Sequence, residues 1–168
     1  MKWTPSKKLQ LMDAIQHRKK DVKAGISCVY FALSKTVGAK MYISAKIRDE
    51  TYRKQAHAAQ YHLAPQVGDC FSFECFWIGH NPCSLPEVRH KVIYGYLTQN
   101  AVIEYPKKDR KTTFNEEMWD LEMELRDIGI VNEDLGPCNV GFIGKRMVCI
   151  DFDYVSCHWK VGRKRKVT

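Results

Sequence analysis

Two periods of apolar and polar positions alternate along the chain, and each switch marks an element. From residue 4 to 23 the pattern predicts a helix. Thr4-Pro5-Ser6 supplies an N-cap with proline at the first helical position, and Leu9, Met12 and Ile15, with Leu11, form a modest apolar face. Ile26 to Leu33 is rich in β-branched and aromatic residues and predicts a strand. A turn over Ser34–Gly38 leads to a second strand, Ala39–Ile47, alternating through Met41, Ile43 and Ala45. A helix opening at Asp49 carries Tyr52, Ala56, Ala59 and Leu63 at spacings of four, three and four, and Pro65 ends it. Cys70–Ile78, with Phe71, Phe73, Phe76 and Trp77, predicts a third strand. A loop over Gly79–Pro86, a strand over Val92–Thr98 and a polar connection over Pro106–Lys111 follow. The strongest helical signal is Phe114, Met118, Leu121, Leu125 and Ile128, stopped by Gly129. Gly136-Pro137 forces a loop within Ile130–Asn139. Val140–Phe142 and Arg146–Phe152 then predict two short strands around a Gly144-Lys145 turn. The order of helices and strands makes this an α+β chain without internal repeats.

Composition narrows the class. With 168 residues, 45% hydrophobic and 27% charged, the chain is neither wholly disordered nor collagen-like, and it can bury one real core, so a single domain over 1–168 is expected. No stretch of about 20 apolar residues is present, so no membrane contact is expected. Met1–Lys8 lacks the apolar run of a secretory signal, and seven cysteines without one point to a reducing, cytoplasmic setting. Cys28, Cys70, Cys75 and Cys149 sit in apolar runs and read as core residues. Cys70, Cys75, His80, Cys83 and His90 match no common zinc spacing. The net charge of +8 gathers at the two ends, in Lys7, Lys8, Arg18, Lys19, Lys20 and Lys23 and again in Lys160, Arg163, Lys164, Arg165 and Lys166. Such ends suit a polyanion, nucleic acid or an acidic protein; a solvated face and tail explain them equally.

The chemistry concentrates after the strongest helix. Asp134 and Asn139 lie five apart on one loop, and Asp151 follows twelve residues later, after an apolar hairpin. Two carboxylates and an amide oxygen can thereby meet at one point. Mg²⁺ takes one or two carboxylates together with phosphate oxygens, and phosphoryl transfer needs a further carboxylate for the attacking hydroxyl. The same residues are common in turns, where they cap loop amides.

Asp134-Leu-Gly-Pro-Cys-Asn139, followed by a strand and Ile150-Asp151-Phe152, resembles the catalytic loop and metal-binding element of the protein-kinase-like fold, and the loop is similar to that of small-molecule and RIO-type kinases. Gly25-x-x-x-Val29-Tyr30-x-Ala32 resembles the end of a Gly-rich loop, Val37-Gly-Ala-Lys40 the lysine strand, and the helix running to Leu63-Ala-Pro65 the αC helix. Tyr94–Gln99 resembles the fifth strand entering the hinge, and Phe114–Ile128 takes the place of αE. The resemblance covers about residues 22–155, in the style of small kinase-like proteins of bacteriophages.

The resemblance implies a five-stranded antiparallel N-lobe over 22–100, a hinge, a reduced helical C-lobe over 101–158 and a basic tail over 159–168. It implies ATP and Mg²⁺ as cofactors, Asn139 and Asp151 on the metal, and Asp134 on the acceptor hydroxyl. Lys40 or Lys46 would grip the phosphates; both read as lying on one strand face, and Gln55, fifteen residues after Lys40, is the helix partner that favours Lys40. Val29, Ala39, Leu97 and Val140 would form the apolar walls, with backbone near Gln99 at the adenine edge. The chain departs from the pattern in four places: Ser27 takes the place of the third glycine, Asn132-Glu133 precedes Asp134, Asp153 replaces the glycine after Asp151-Phe152, and about fifteen residues follow Asp153. Two functions therefore stand open on the resemblance, and a third, a basic nucleic-acid-binding domain with no kinase ancestry, beside it. One is a phosphotransferase acting on a serine/threonine or small-molecule hydroxyl. The other is a pseudokinase-type binding or inhibitor protein that engages a host protein or nucleic acid.

Overall fold

The computed structural model describes residues 1–16, 22–24, 28–78, 88–104, 111–153 and 155–157. Its first half is organised by strand alternation. In β2 (Val29–Ala32), β3 (Val37–Tyr42) and β5 (Val88–Gln99), successive side chains point to opposite faces of one antiparallel sheet. Val29, Phe31, Ala39, Met41, Ile93 and Leu97 share one face, joined by Phe71 and Phe73 of β4 (Val67–Ile78). Helix α1 (Pro5–Gln16) covers that face with Leu11 and Ala14, and Trp3 stacks on Phe71 with ring centroids 3.9 Å apart.

The opposite face carries Tyr30, Lys40, Tyr96 and Thr98, and α2 (Ala45–Ala59) packs there. The fold is thus α+β: a four-stranded antiparallel sheet, β2-β3-β5-β4, extended beside β2 by the three-residue β1 (Val22–Ala24), with three helices among the described residues.

Several expected boundaries move. Val22 and Lys23 belong to β1, not to the first helix. The second strand ends at Tyr42. Ser44, in an extended conformation (φ −125°, ψ 123°), caps α2 by accepting from the Ile47 amide, so Ala45, Lys46 and Ile47 are helical. Lys46 therefore does not share a strand face with Lys40. The buried face of α2 is Thr51, Gln55, Ala58 and Ala59; of the expected residues Ala59, and Leu63 beyond the helix, are buried, while Thr51 and Gln55 take the places of Tyr52 and Ala56. Polar burial moved it, because the sheet face it meets is itself polar. Cys70 is exposed rather than in the core.

The lower half is built on α3 (Lys111–Asp127), whose Phe114, Leu121 and Leu125 are buried as the periodicity predicts, with Met118 and Ile128 packed beside them. Gly129, at φ 81°, turns the chain out of the helix. Strands β6 (Ile130–Asn132), β7 (Val140–Ile143), β8 (Arg146–Cys149) and β9 (Val155–Cys157) follow. β7 and β8 form the expected hairpin, whereas β6 pairs with β9, a ladder that no sequence signal announced. Ala58, Ala59, Leu63 and Ala64 reach into this second core, so the end of α2 joins the two halves. The Cys149 amide bonds to Leu63 O at 2.9 Å across the same junction. No helix among the described residues is long and apolar enough to cross a membrane.

Candidate functional site

Lys40 is the clearest anomaly on the sheet. It lies mid-strand, only 7% exposed, between its cross-strand neighbours Tyr30 and Tyr96. A lysine that deep needs partners. Its Nζ donates to Ile150 O at 2.5 Å. Burial pulls its pKa down, but nearby Tyr96, Cys28, Asp151 and Asp153 outweigh burial and hold it above the ordinary lysine range. Burial also raises the Tyr96 hydroxyl and the Cys28 thiol to about 12, so both are neutral at pH 7.

Gln55 does not bond to Lys40. Fully buried on α2, it accepts from Tyr96 Oη at 2.9 Å and donates to Thr98 Oγ1 at 2.8 Å and Pro65 O at 3.0 Å. Its role in the fold is to tie α2 to β5. The residue of α2 that reaches toward the lysine's neighbours is Thr51, whose Oγ1 donates to Asp153 Oδ1 at 3.3 Å.

The loops of the lower half meet Lys40 from the other side. Two Asx turns shape them. Asn132 Oδ1 accepts from the Asp134 amide and Asp151 Oδ1 from the Asp153 amide, each at 3.0 Å. Asn132 is buried at the end of β6, and its Nδ2 donates to Asp151 O at 3.2 Å and Cys149 Sγ at 3.3 Å. It therefore locks the loop of Asp134 to the loop of Asp151. Asn139 closes the first loop, donating from Nδ2 to Asp134 O at 2.6 Å and Asp134 Oδ2 at 3.1 Å. The Ile150 amide returns to Asn139 O at 2.9 Å.

Between sheet and loops lies a cleft of about 450 Å³, within the roughly 300–1,000 Å³ of small-molecule sites. Its lining includes Lys40, Asn139, Ile150 and Asp151, Thr98, Gln99, Ala101 and Ile103, and Cys28 and Tyr30 from β2 and its approach. Asp134 stands outside this lining, exposed and held by Asn139.

The expected apolar walls are corrected. Val29, Ala39 and Leu97 face α1, and Val140 lies in the lower core. Neighbouring strand residues point to opposite faces, so Ala39 and Leu97 cannot share a cleft with Lys40 and Thr98. Gly38 is on the cleft face. A Cβ there would stand 2.5 Å from Tyr30 Oη, so the missing side chain lets Tyr30 lie across β3 and bond to Asn100 Oδ1. At the end of β5, the Gln99 amide is taken by Gln66 O at 2.8 Å and the Asn100 amide by Thr36 O at 3.0 Å.

The donor set suits a hard divalent cation. Asp151 offers carboxylate oxygen, and Asn139, its Nδ2 engaged by Asp134, leaves Oδ1 as acceptor on the same cleft wall. No three His, Cys, Asp or Glu side chains converge on a metal-sized point among the described residues, so phosphate oxygens would have to complete such a shell. Cys75, His80, Cys83 and His90, like the Gly-rich-loop residues 25–27 and the basic tail from 159, fall outside the described residues or side chains.

Sequence reasoning passed over Thr51, Asn132 and Tyr30 as site residues. For Asn132 a signal existed, since it stands two before Asp134 where a loop-bracing residue belongs. Thr51 gave none, being one polar residue in a polar helix. No known family model matches the chain, and no curated protein matches it in sequence.

Proposed function

We propose that the cleft binds ATP with Mg²⁺ and that the chain is a protein-kinase-like phosphotransferase. One observation carries this reading: Lys40 on β3 and the Asn139 and Asp151 loops, distant in sequence, line one cleft between the sheet and the lower half. The element order supports it, with a helix between β3 and β4, a connection after β5 to α3, and α3 leading into the Asp134 loop.

Each residue then has a task. Lys40 holds the phosphates through its buried ammonium. Asn139 and Asp151 would hold Mg²⁺, which offsets phosphate charge when bound. Asp134, exposed at the mouth, takes the proton of an acceptor hydroxyl, and Asn139 fixes the orientation of its carboxylate. Thr98, Gln99 and Ala101 provide the base end.

A second reading is favoured by the α2 face. No carboxylate of that helix meets Lys40, and Asp134 is pinned by Asn139, as suits a nucleotide-binding module without turnover that presents its basic ends to a host protein or nucleic acid. Calorimetry with Mg·ATP on the intact chain and on Asp151→Ala tests the binding common to both readings. Binding that disappears in the variant is expected, and equal binding removes Asp151 and the proposed metal site. Transfer of labelled phosphate to an acceptor then separates enzyme from binder.

A further inference from the structure

We infer that the ring of Tyr30, laid across Gly38 and held at its hydroxyl by Asn100, is the platform on which the base of a nucleotide stacks in the cleft. The inference deepens the nucleotide reading above and rests on it.

The aliphatic residues expected on either side of a base, Val29, Ala39, Leu97 and Val140, are buried in the two cores instead. On the sheet side, the strands line the cleft with Tyr30, Lys40, Thr98 and Gln99. Of these, Tyr30 alone offers a flat apolar surface.

Its position is fixed from two directions. Tyr30 is the direct partner of Lys40 across β2 and β3, yet its ring slants away to Gly38, two residues along β3. A Cβ on Gly38 would meet Tyr30 Oη at 2.5 Å and Cε2 at 2.6 Å, so glycine is what leaves room for the ring. Oη donates to Asn100 Oδ1, just past the end of β5. Asn100 is itself anchored: its amide donates to Thr36 O at 3.0 Å and its Nδ2 to Ser34 O at 2.6 Å. The ring thus starts on β2, crosses β3 and ends beyond β5, with little freedom left to lose when a ligand arrives. Trp3, Phe71, Phe73, Tyr42, Tyr52 and Tyr96 all engage in ring pairs, but among the described residues no ring stacks on half-buried Tyr30. A pre-set aromatic surface that lines a cleft without an aromatic neighbour suits a flat heteroaromatic ring.

The spacing suits a nucleotide. Gly38, where the ring is seated, lies about 7 Å along β3 from Lys40. In a nucleotide the sugar sets the base apart from the phosphates, so one molecule can use the ring and the ammonium together. The backbone past β5 offers a base less. Of the four amides from Gln99 to Val102, three are taken within the fold, by Gln66 O, Thr36 O and Phe142 O. Little of this run is left for the edge of a base, so more of the hold falls on its face.

The test uses the full chain and three probes in calorimetry: adenosine, which has a base and no phosphate; Mg·tripolyphosphate, which has phosphate and no base; and Mg·ATP. Tyr30→Leu should weaken adenosine and Mg·ATP at least about fivefold, as expected for one base stacked on one ring, and leave Mg·tripolyphosphate unchanged. Tyr30→Phe keeps the ring and loses the bond to Asn100, and should stay within about threefold of the wild type. Adenosine bound equally by the wild type and Tyr30→Leu overturns the platform, as does an equal loss for Mg·tripolyphosphate. A second measurement needs only the unaltered fold. In a tyrosine-labelled chain, saturating adenosine should move the Tyr30 ring resonances upfield, those resonances being assigned by their disappearance in Tyr30→Phe. Unmoved resonances overturn the platform even if Tyr30→Leu fails to fold. A wild-type chain that binds no adenosine at millimolar concentration overturns it as well, whatever Mg·ATP does. Mg·ATP binding that is lost in Asp151→Ala but indifferent to Tyr30→Leu removes the platform and leaves the nucleotide reading. Adenosine bound through Tyr30, with Mg·ATP no tighter, sinks the phosphate and metal half of that reading and leaves the platform standing.

Discussion

Burial decides what the thiols of this chain can do. Cys149 and Cys28 ionise only at about 12 because burial penalises the thiolate, against 9.0 for an ordinary cysteine. The unfolded chain loses these protons from about pH 9, while the folded chain keeps them until about 12. The folded state therefore binds more protons across that window, and its stability falls as pH rises through it, by up to about 1.4 kcal/mol per pH unit for each thiol. Thermal unfolding followed from pH 8 to 11 should show this decline, and Cys28→Ala should flatten it. A slope unchanged in that variant would mean that Cys28 does not ionise differently in the two states. At pH 8, iodoacetamide should modify exposed Cys138 well before buried Cys149, which peptide mapping by mass spectrometry reads directly.

Helices and strands carry the next level of consequence. Gln55 makes three hydrogen bonds with zero exposure, so Gln55→Leu should destabilise by about 2–4 kcal/mol by stranding the polar groups of Tyr96, Thr98 and Pro65, measured by urea unfolding. On α3 the two faces should separate cleanly. Leu125→Ala, at 1% exposure, should cost about 2–5 kcal/mol, and Trp119→Ala, at 63% exposure, under about 0.5. Similar losses for the two would mean that α3 sits the other way round. That face of α3 was readable because Phe114, Leu121 and Leu125 repeat at helical spacing against an apolar core. The face of α2 was legible only toward its end, at Ala59 and Leu63; further up it meets Tyr96 and Thr98, and the buried Thr51 and Gln55 follow no apolar period. β6 and β9 were equally silent: three residues each are too short for alternation, and their pairing depends on a return of the chain that only tertiary structure shows. At the site, Lys40, Asn139 and Asp151 were legible as chemistry, yet the walls were misplaced by one strand position, since residue type does not reveal which face a strand residue takes.

For the molecule as a whole, the cleft lies between two cores, which the end of α2 and the Val102–Phe142 bridge help to join. A ligand bridging them should stabilise both together. With Mg·ATP at a hundredfold excess over its Kd, the expected gain is about 2.7 kcal/mol, seen as a single unfolding transition displaced upward by several degrees. In the enzyme reading, Asp134→Asn should lower turnover by at least about 100-fold with affinity changed only a few-fold, because Asp134 stands outside the cleft lining; a variant of normal turnover excludes it from the chemistry. The β6–β9 ladder bears on something else. Asn132 and Val155 are direct partners across it, so the stretch from 133 to 154, which contains Asp134, Asn139, Asp151 and Asp153, leaves and re-enters the fold at adjacent strands about 5 Å apart. A segment whose two ends lie side by side is a transplantable unit. It can be spliced between neighbouring antiparallel strands of a foreign scaffold without stretching either chain, and a host that also offers an asparagine at the position of Asn132, with a lysine and a threonine above the splice, would receive the polar constellation as one graft.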